Sequence, residues 1–378
     1  MRRVARGRAA MKLGFRIDQP GQGVQPYIEA AFLPFGDGTL MYRYLTSCAA
    51  LLLFLSAPLS AAELEVRELK LAQAGTSLVA ADGQVLVKTV DGSVFRFGEG
   101  GALVAVPGTA WPSTVVALLP PVVRDGRIGR DGTGRILAWY AEETEQYRHG
   151  ALGDPVEALA LVVREDDGKP ALYQTSGDEV FEDLEPRIVD LDNEPHGRPE
   201  IVTIVASAEE GAAIAVFGMS RDPNGDPALV RLATSSHIGS GFRWLNIAGI
   251  ADFDGDGFTE IAYVDRPHIR GELVFLEWRG GRLREQERAG GFANHHGGST
   301  VQDLSEVADV DGDGIPDLLL PDRGYRHFVA IGFGPDGIRE IARTPIPSAP
   351  ESAVVRWGAG SVAYLDAEGR LFSLDWAP

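Results

Sequence analysis

The chain has 378 residues, a formal net charge of −19, an apolar share of 44% and a single cysteine. That apolar share fits a globular protein, and the length suits one large all-β domain as readily as two smaller ones. The acidic balance argues against nucleic acid and against an anionic membrane surface as partners, because binding to either polyanion is led by Lys and Arg.

Residues 1–40 are basic and show no coherent periodicity, and we read them as a non-native or disordered extension ahead of Met41. Residues 41–62 run from Met41 and Arg43 through an apolar stretch to small residues ending at Ala62, the pattern of a secretory signal peptide cut after Ala62. The apolar run is short for a spanning helix, and Cys48 falls too early in it to be a lipid-modified cysteine. Export to the periplasm or the extracellular space is therefore the expected localisation. Removing residues 1–62 leaves 28 basic against 51 acidic residues, a net charge of −23, and no cysteine. The mature chain must then fold in an oxidising compartment without disulfides, and no spanning helix is expected in it.

From Glu63 onward the pattern is one of short strands separated by turns. Leu64–Leu71 alternates weakly; 77–80, 84–88 and 93–97 follow, divided by Asp82-Gly83 and Asp91-Gly92, dipeptides that favour tight hairpins. A second set comprises 136–140, 158–163 and 171–174. A third begins at 188–192 and continues through 200–205, 213–217 and 228–232. The fourth holds 272–276 and 282–285, the fifth 327–331 and 338–341, and the sixth 353–356, 361–365 and 370–374. The sixth set is one strand short, and the strand near Leu64 completes it from the other end of the chain. Asp222 to Asp226 reads as a plain hairpin turn.

Two segments carry the chemistry. In Ala251-Asp-Phe-Asp-Gly-Asp-Gly-Phe-Thr-Glu260, carboxylates stand at loop positions one, three, five and nine: Asp252, Asp254, Asp256 and Glu260. In the near copy from Ala308 they are Asp309, Asp311, Asp313 and Asp317. Four acids so close repel one another unless a cation sits among them, and Ca2+, which takes six to eight oxygen ligands, is the natural occupant. The carbonyl of Phe258 or Ile315, at position seven, would supply a further ligand. An EF-hand is excluded because position twelve is Tyr263 or Leu320 rather than a bidentate Glu, and because apolar strands follow. The first acidic position recurs, degraded, in the third set, where Asp190, Asp192 and Glu194 are in step but two extra residues delay Glu200. Arg198 is there a candidate to replace the ion's charge.

The pattern D-x-D-G-D-G-x-x-[DE] followed by an apolar strand resembles the FG-GAP/VCBS repeat of integrin-α-like β-propellers. The resemblance implies a blade whose first and second strands are joined by a calcium-binding loop. The first acidic positions, 190, 252 and 309, are spaced by 62 and 57 residues, room for one four-stranded blade each. The expected fold is thus an all-β single propeller over 63–378, with six four-stranded blades favoured over seven.

Function is less constrained. His237, His295 and His296 stand in glycine-rich segments joining one blade to the next, expected on the face opposite the acidic loops, where they are candidates to bind a transition metal or a polar ligand. No nucleophile elbow and no phosphate-binding glycine loop is present. The sequence therefore points to an exported, calcium-stabilised module that binds a protein or a carbohydrate. The alternative is a hydrolase or lyase acting on an extracellular polymer through the three histidines.

Overall fold

A computed structural model describes residues 11–16, 25–30, 62–81, 83–112, 118–193 and 197–377. The chain divides into two compact units, Met1–Ala57 and Pro58–Pro378. In the first, Met11–Arg16 pairs antiparallel with Gln25–Ala30, Met11 opposite Ala30. The expected signal segment, Ala62 apart, and Glu194 lie outside the described residues.

The second unit is built from antiparallel meanders of four strands. The first runs Gly75–Ala81, Gln84–Thr89, Val94–Phe97, Leu103–Val106. The second is Gly129–Arg130, Ile136–Thr144, Glu157–Glu165, Ala171–Gln174, and the third Arg187–Val189, Glu200–Ser207, Gly211–Arg221, Pro227–Thr234. A two-residue strand, Val180–Phe181, pairs with both and fuses them into one nine-stranded sheet. The fourth comprises Leu245–Ala251, Thr259–Asp265, Glu272–Trp278 and Leu283–Gly290; the fifth Glu306–Ala308, Asp317–Pro321, His327–Gly332 and Arg339–Pro345. The last sheet joins Val355–Gly358, Ser361–Leu365 and Leu371–Trp376 to Leu64–Leu69, so both ends of the unit share one sheet, with Leu374 opposite Val66. The architecture is that of a β-propeller. No described helix is long and apolar enough to cross a membrane.

Burial explains why the strand patterns read as they do. Thr259–Asp265 is buried at every position, because sheets cover it on both sides, and so it shows no alternation. Leu283–Gly290, the outermost strand of the same sheet, is mostly exposed and correspondingly charged. From the second meander onward each sheet packs an apolar face on the next, and the last packs on the first. Phe275 and Ala262 meet Leu318 and Ile331 across the fourth and fifth sheets, and Leu319 and Ala330 meet Val362 and Tyr364 across the fifth and last. Leu371 and Ala363 in turn meet Val87 of the first sheet. Four of the six tryptophans, Trp139, Trp244, Trp278 and Trp376, are core residues at 6% exposure or less.

Because successive strands alternate in direction, every sheet has two working edges. Loops joining first to second strands, which hold the acidic segments, emerge at one edge. Loops joining second to third strands, and those leading to the next sheet, emerge at the other. The hairpin expected at Asp222 is present between third and fourth strands, its Oδ1 accepting from the N–H groups of Asn224 and Asp226.

Candidate metal centres

At the first edge the two acidic loops adopt the same geometry. Gly255 and Gly257 (φ 72° and 91°) and their counterparts Gly312 and Gly314 (76° and 88°) take the left-handed conformation that lets each loop curl. Asp252 Oδ2 accepts from Gly257 N at 3.0 Å, and Asp309 Oδ2 from Gly314 N at 3.0 Å. The carboxylate that opens the second strand turns back to the second loop position: Phe253 N–H donates to Glu260 Oε2 and Val310 N–H to Asp317 Oδ2, both at 2.8 Å. The result is convergence. Asp252, Asp254 and Glu260 offer carboxylate oxygens all within 4.8 Å of one another, as do Asp309, Asp311 and Asp317.

Asp256 and Asp313 play a different part, their Oδ1 atoms accepting from the backbone N–H of Phe258 and Ile315 at 2.9 and 2.8 Å. These bonds hold the loop at positions five to seven, where sequence spacing expects a carbonyl ligand.

The residues present fit a hard cation. Asp252 Oδ1 and Glu260 Oε1 are buried without a hydrogen-bond partner, and among the described residues no Lys or Arg forms an ion pair with Asp252, Asp254 or Glu260. Burial, reinforced by Asp254, Asp252 and Asp256, pushes Glu260 up to about 8. Asp317 is pushed up to about 7, again by burial first and then by Asp311 and Asp313. Asp254 is likewise raised, by burial and by Asp256 and Asp252. Glu260, Asp254 and Asp317 are thus ionised only at a cost that a divalent cation would remove. The second loop has partial compensation, since Arg339 Nη2 lies 3.1 Å from Asp311 Oδ2 and 3.5 Å from Asp313 Oδ2. In the first, Arg279 reaches only to 3.9 Å from Asp256 and lies on the Phe258 ring at 4.0 Å.

The degraded loop keeps more of this design than its sequence shows. Asp190, Asp192 and Glu200 converge within 4.8 Å despite the two extra residues, and Leu191 N–H donates to Glu200 Oε2 at 2.9 Å, the same bond made by Phe253 and Val310. Burial, with Asp192 and Asp190 adding to it, raises the Glu200 carboxyl. Arg198 forms an ion pair with Glu165 of the neighbouring meander at 3.0 Å.

At the opposite edge the histidines fall out differently from their spacing. His295 is 1% exposed and hydrogen-bonded on both nitrogens, Nε2 to Ser299 O at 2.9 Å and Nδ1 to His268 Nε2 at 2.7 Å. A carbonyl only accepts, so Nε2 of His295 carries the proton and its Nδ1 accepts from His268. Burial pushes His295 down to about 3 and His268 to about 4, and the neighbouring imidazoles push the same way. His296 directs Nε2 at Pro350 O (2.9 Å) and stacks on Tyr325 at 4.1 Å. His237 makes no ring contact with these residues and has its Nδ1 3.6 Å from Glu210. Two further rings escaped the sequence reading, His268 and His149. Both lie in loops between second and third strands, and strand alternation alone would have placed them on this edge. Phe242, 43% exposed, stacks on Tyr147 at 5.1 Å and meets His149 edge-on at 5.9 Å.

Residues 252–320 match the family model of the FG-GAP-like repeat, a span that contains both complete acidic loops. No curated protein matches the chain. Among solved structures it is similar to the WD40 domain of SCAP from fission yeast, at 9% identity over 80% of this chain and 61% of that one, with a TM-score of 0.35. It is also similar to BamB from Moraxella catarrhalis (13% identity, 81% of this chain, 74% of that chain, TM-score 0.35). A protein from Lactobacillus plantarum matches 95% of this chain and 89% of its own at 13% identity, with a TM-score of 0.38. At such identities and scores these likenesses carry no functional argument.

Proposed function

We propose that this FG-GAP-repeat β-propeller is an exported binding or scaffold module, held by calcium at its acidic edge and engaging a protein or carbohydrate ligand with the ring-lined edge opposite. Support for the binding edge comes from backbone strain. Phe242, Arg266 and Tyr325, three bulky residues in its loops, all have positive φ (53°, 49° and 50°), a conformation that such side chains adopt only where surrounding structure imposes it and that gathers at functional sites. Phe242 is presented on the surface by this backbone and backed by Tyr147. The imidazoles there favour binding over acid–base turnover: the N–H of His295 is committed to Ser299 O, and His237 stands apart from the other rings. Calcium at the other edge fits the buried, unpartnered oxygens of Asp252 and Glu260.

The test has two arms. Thermal unfolding with calcium and with a chelator, on the wild type and on Asp252→Ala and Asp309→Ala, reads the acidic edge; a midpoint indifferent to calcium sinks that half of the proposal. Pull-down and polysaccharide-binding assays with Phe242→Ala read the other edge, where capture unchanged by the substitution would sink the binding half. Fractionation, with N-terminal sequencing for a start at Glu63, reports on export.

A further inference from the structure

A second group of acids lies at the ring-lined edge, away from the loops between first and second strands. Ala158 pairs with Phe181 across antiparallel strands, and this register sets Glu157 directly opposite Glu182. Like charges in that relation are destabilising even on a surface. Here they are buried: Glu182 is 0% and Glu157 4% exposed. Glu182 Oε1 is taken by His149 Nδ1 at 2.6 Å. Its Oε2, however, has no hydrogen-bond partner, and neither has Glu157 Oε1. Tyr147, also 0% exposed, faces the Glu182 carboxyl, and its hydroxyl, a third buried polar atom, makes no well-formed hydrogen bond, only loose approaches to that carboxyl and to the Phe242 backbone.

Two orphaned carboxyl oxygens and one loosely held hydroxyl, from three different segments of chain, call for an occupant, since buried polar groups in folded proteins are almost always satisfied. Among the described residues no Lys or Arg forms an ion pair with Glu157 or Glu182. Asp125, Asp154 and Asp183 all act on Glu157 with the wrong sign to help, and Arg243 acts on Tyr147 and His149 without pairing with either acid. Two carboxyls sharing a proton would make a short O–H···O bond to each other, and these two make none. Phe242 stacks on Tyr147, and Trp244 Nε1 donates to Glu182 O at 2.9 Å, so both aromatic residues flank the group.

We propose that Glu157 Oε1, Glu182 Oε2 and Tyr147 Oη hold one hard divalent cation of the calcium, magnesium or manganese class. Two buried carboxyls with no basic partner favour a cation over a neutral water, and an all-oxygen set suits that class over thiophilic metals. With the cation in place both carboxyls are ionised, and His149 donates Nδ1–H to the second oxygen of Glu182, fixing it as a carboxylate that coordinates a metal is commonly fixed. The ion ties the loop bearing Tyr147 to the segment bearing Glu182, beneath the exposed Phe242. This assignment does not depend on what the outer face binds or on the acidic loops being occupied.

Stoichiometry tests it. Calcium and manganese bound by the full-length chain are measured by equilibrium dialysis with elemental analysis, for the wild type, Glu157→Gln, Glu182→Gln and a loop variant, Asp190→Asn/Asp252→Asn/Asp309→Asn, that disables all three converging acidic loops. The two Gln variants are expected to hold one ion fewer than the wild type, while the loop variant still retains one. Terbium added to the loop variant is expected to show emission sensitised through Trp244, lost on adding Glu182→Gln. In that same background Tyr147→Phe, which leaves both carboxyls in place and spares the fold, is expected to weaken the retained ion about tenfold. Equal stoichiometry in wild type and both Gln variants, or unchanged affinity in Tyr147→Phe, overturns the site.

Discussion

Replacing Glu260 by Gln should change the stability of the protein in opposite directions with and without calcium. Glu260 is fully buried, accepts from Phe253 N–H, and faces Asp252 and Asp254 with an oxygen that has no partner. In the unfolded chain its carboxyl ionises near 4.5, whereas in the fold it holds its proton up to about 8. That difference costs the calcium-free fold roughly 3 kcal/mol at pH 7, or about 2 kcal/mol once screening at the open side of the loop is allowed for. A glutamine carries no such cost. Its carbonyl keeps the bond from Phe253, and its amide can donate to the unpartnered Asp252 Oδ1. In chelator, then, Glu260→Gln is expected to raise the unfolding midpoint by about 4 °C, taking about 2 °C per kcal/mol for a unit of this size. In calcium the order reverses. A ligand at a hundred times its dissociation constant adds about 2.7 kcal/mol to the wild type, and the variant, with one carboxylate fewer, forfeits most of it. Scanning calorimetry of both proteins in both conditions checks this. A variant that is destabilised equally with and without calcium would refute the reasoning, because Glu260 would then be an ordinary packed residue.

Other consequences follow from the same geometry. In chelator, the raised carboxyls of Glu260 and Asp317 give stability that is complete below their ordinary ionisation near 4.5 and 3.8 and is lost as pH rises through about 8 and about 7. The midpoint should therefore fall between about pH 4 and 8 without calcium and flatten with it, as a pH series of melting curves will show. Arg339→Ala removes the partial compensation of the second loop and should lower stability by up to about 1 kcal/mol in chelator, and less in calcium, by urea titration. Phe253, wholly buried and edge-on to Phe275 at 5.3 Å, anchors the first loop to the core; Phe253→Ala should cost about 3–5 kcal/mol in either condition. Gly249→Ala should destabilise by about 1–3 kcal/mol in the same titration, since the new Cβ would lie 2.5 Å from Val307 Cγ2.

What could be read from the sequence was whatever is fixed by residues close together in it. The acidic loops were legible because acids and left-handed glycines recur at set offsets, and the hairpins at Asp91-Gly92 and Asp222 because short-range hydrogen bonding decides them. The closing strand near Leu64 was legible because one sheet lacked a member. Strands of a few residues, such as Gly129–Arg130, Leu103–Val106 and Val180–Phe181, carry too little pattern to be found. The ring cluster was half hidden for another reason: His268 and His295 meet across two loops, and only the packing of the fourth sheet brings their nitrogens to 2.7 Å. Glu157 and Glu182 were invisible altogether, each an ordinary acid in its own segment until the Ala158–Phe181 pairing sets them face to face.

The two edges are joined by rigid struts, and this gives the acidic loops a reach beyond their own surroundings. Glu260 stands near the start of Thr259–Asp265, and the other end of that strand enters the loop of His268. Asp317 opens Asp317–Pro321, which leads to Tyr325, and Glu200 opens Glu200–Ser207. Each of these second strands is buried along its whole length between neighbouring sheets, so it cannot slide without breaking a ladder and moving its core side chains to the wrong face. A seven-residue strand spans about 24 Å. A cation that fixes the carboxylate at one end therefore fixes, through a single buried strand, where the ring-bearing loop begins at the other. The loops that carry strained Arg266 and Tyr325, which these second strands enter, can hold unfavourable backbone only if their anchor points do not move. Buried carboxylates that need an ion at one edge and strained aromatic loops at the other are, on this view, two ends of one mechanical arrangement.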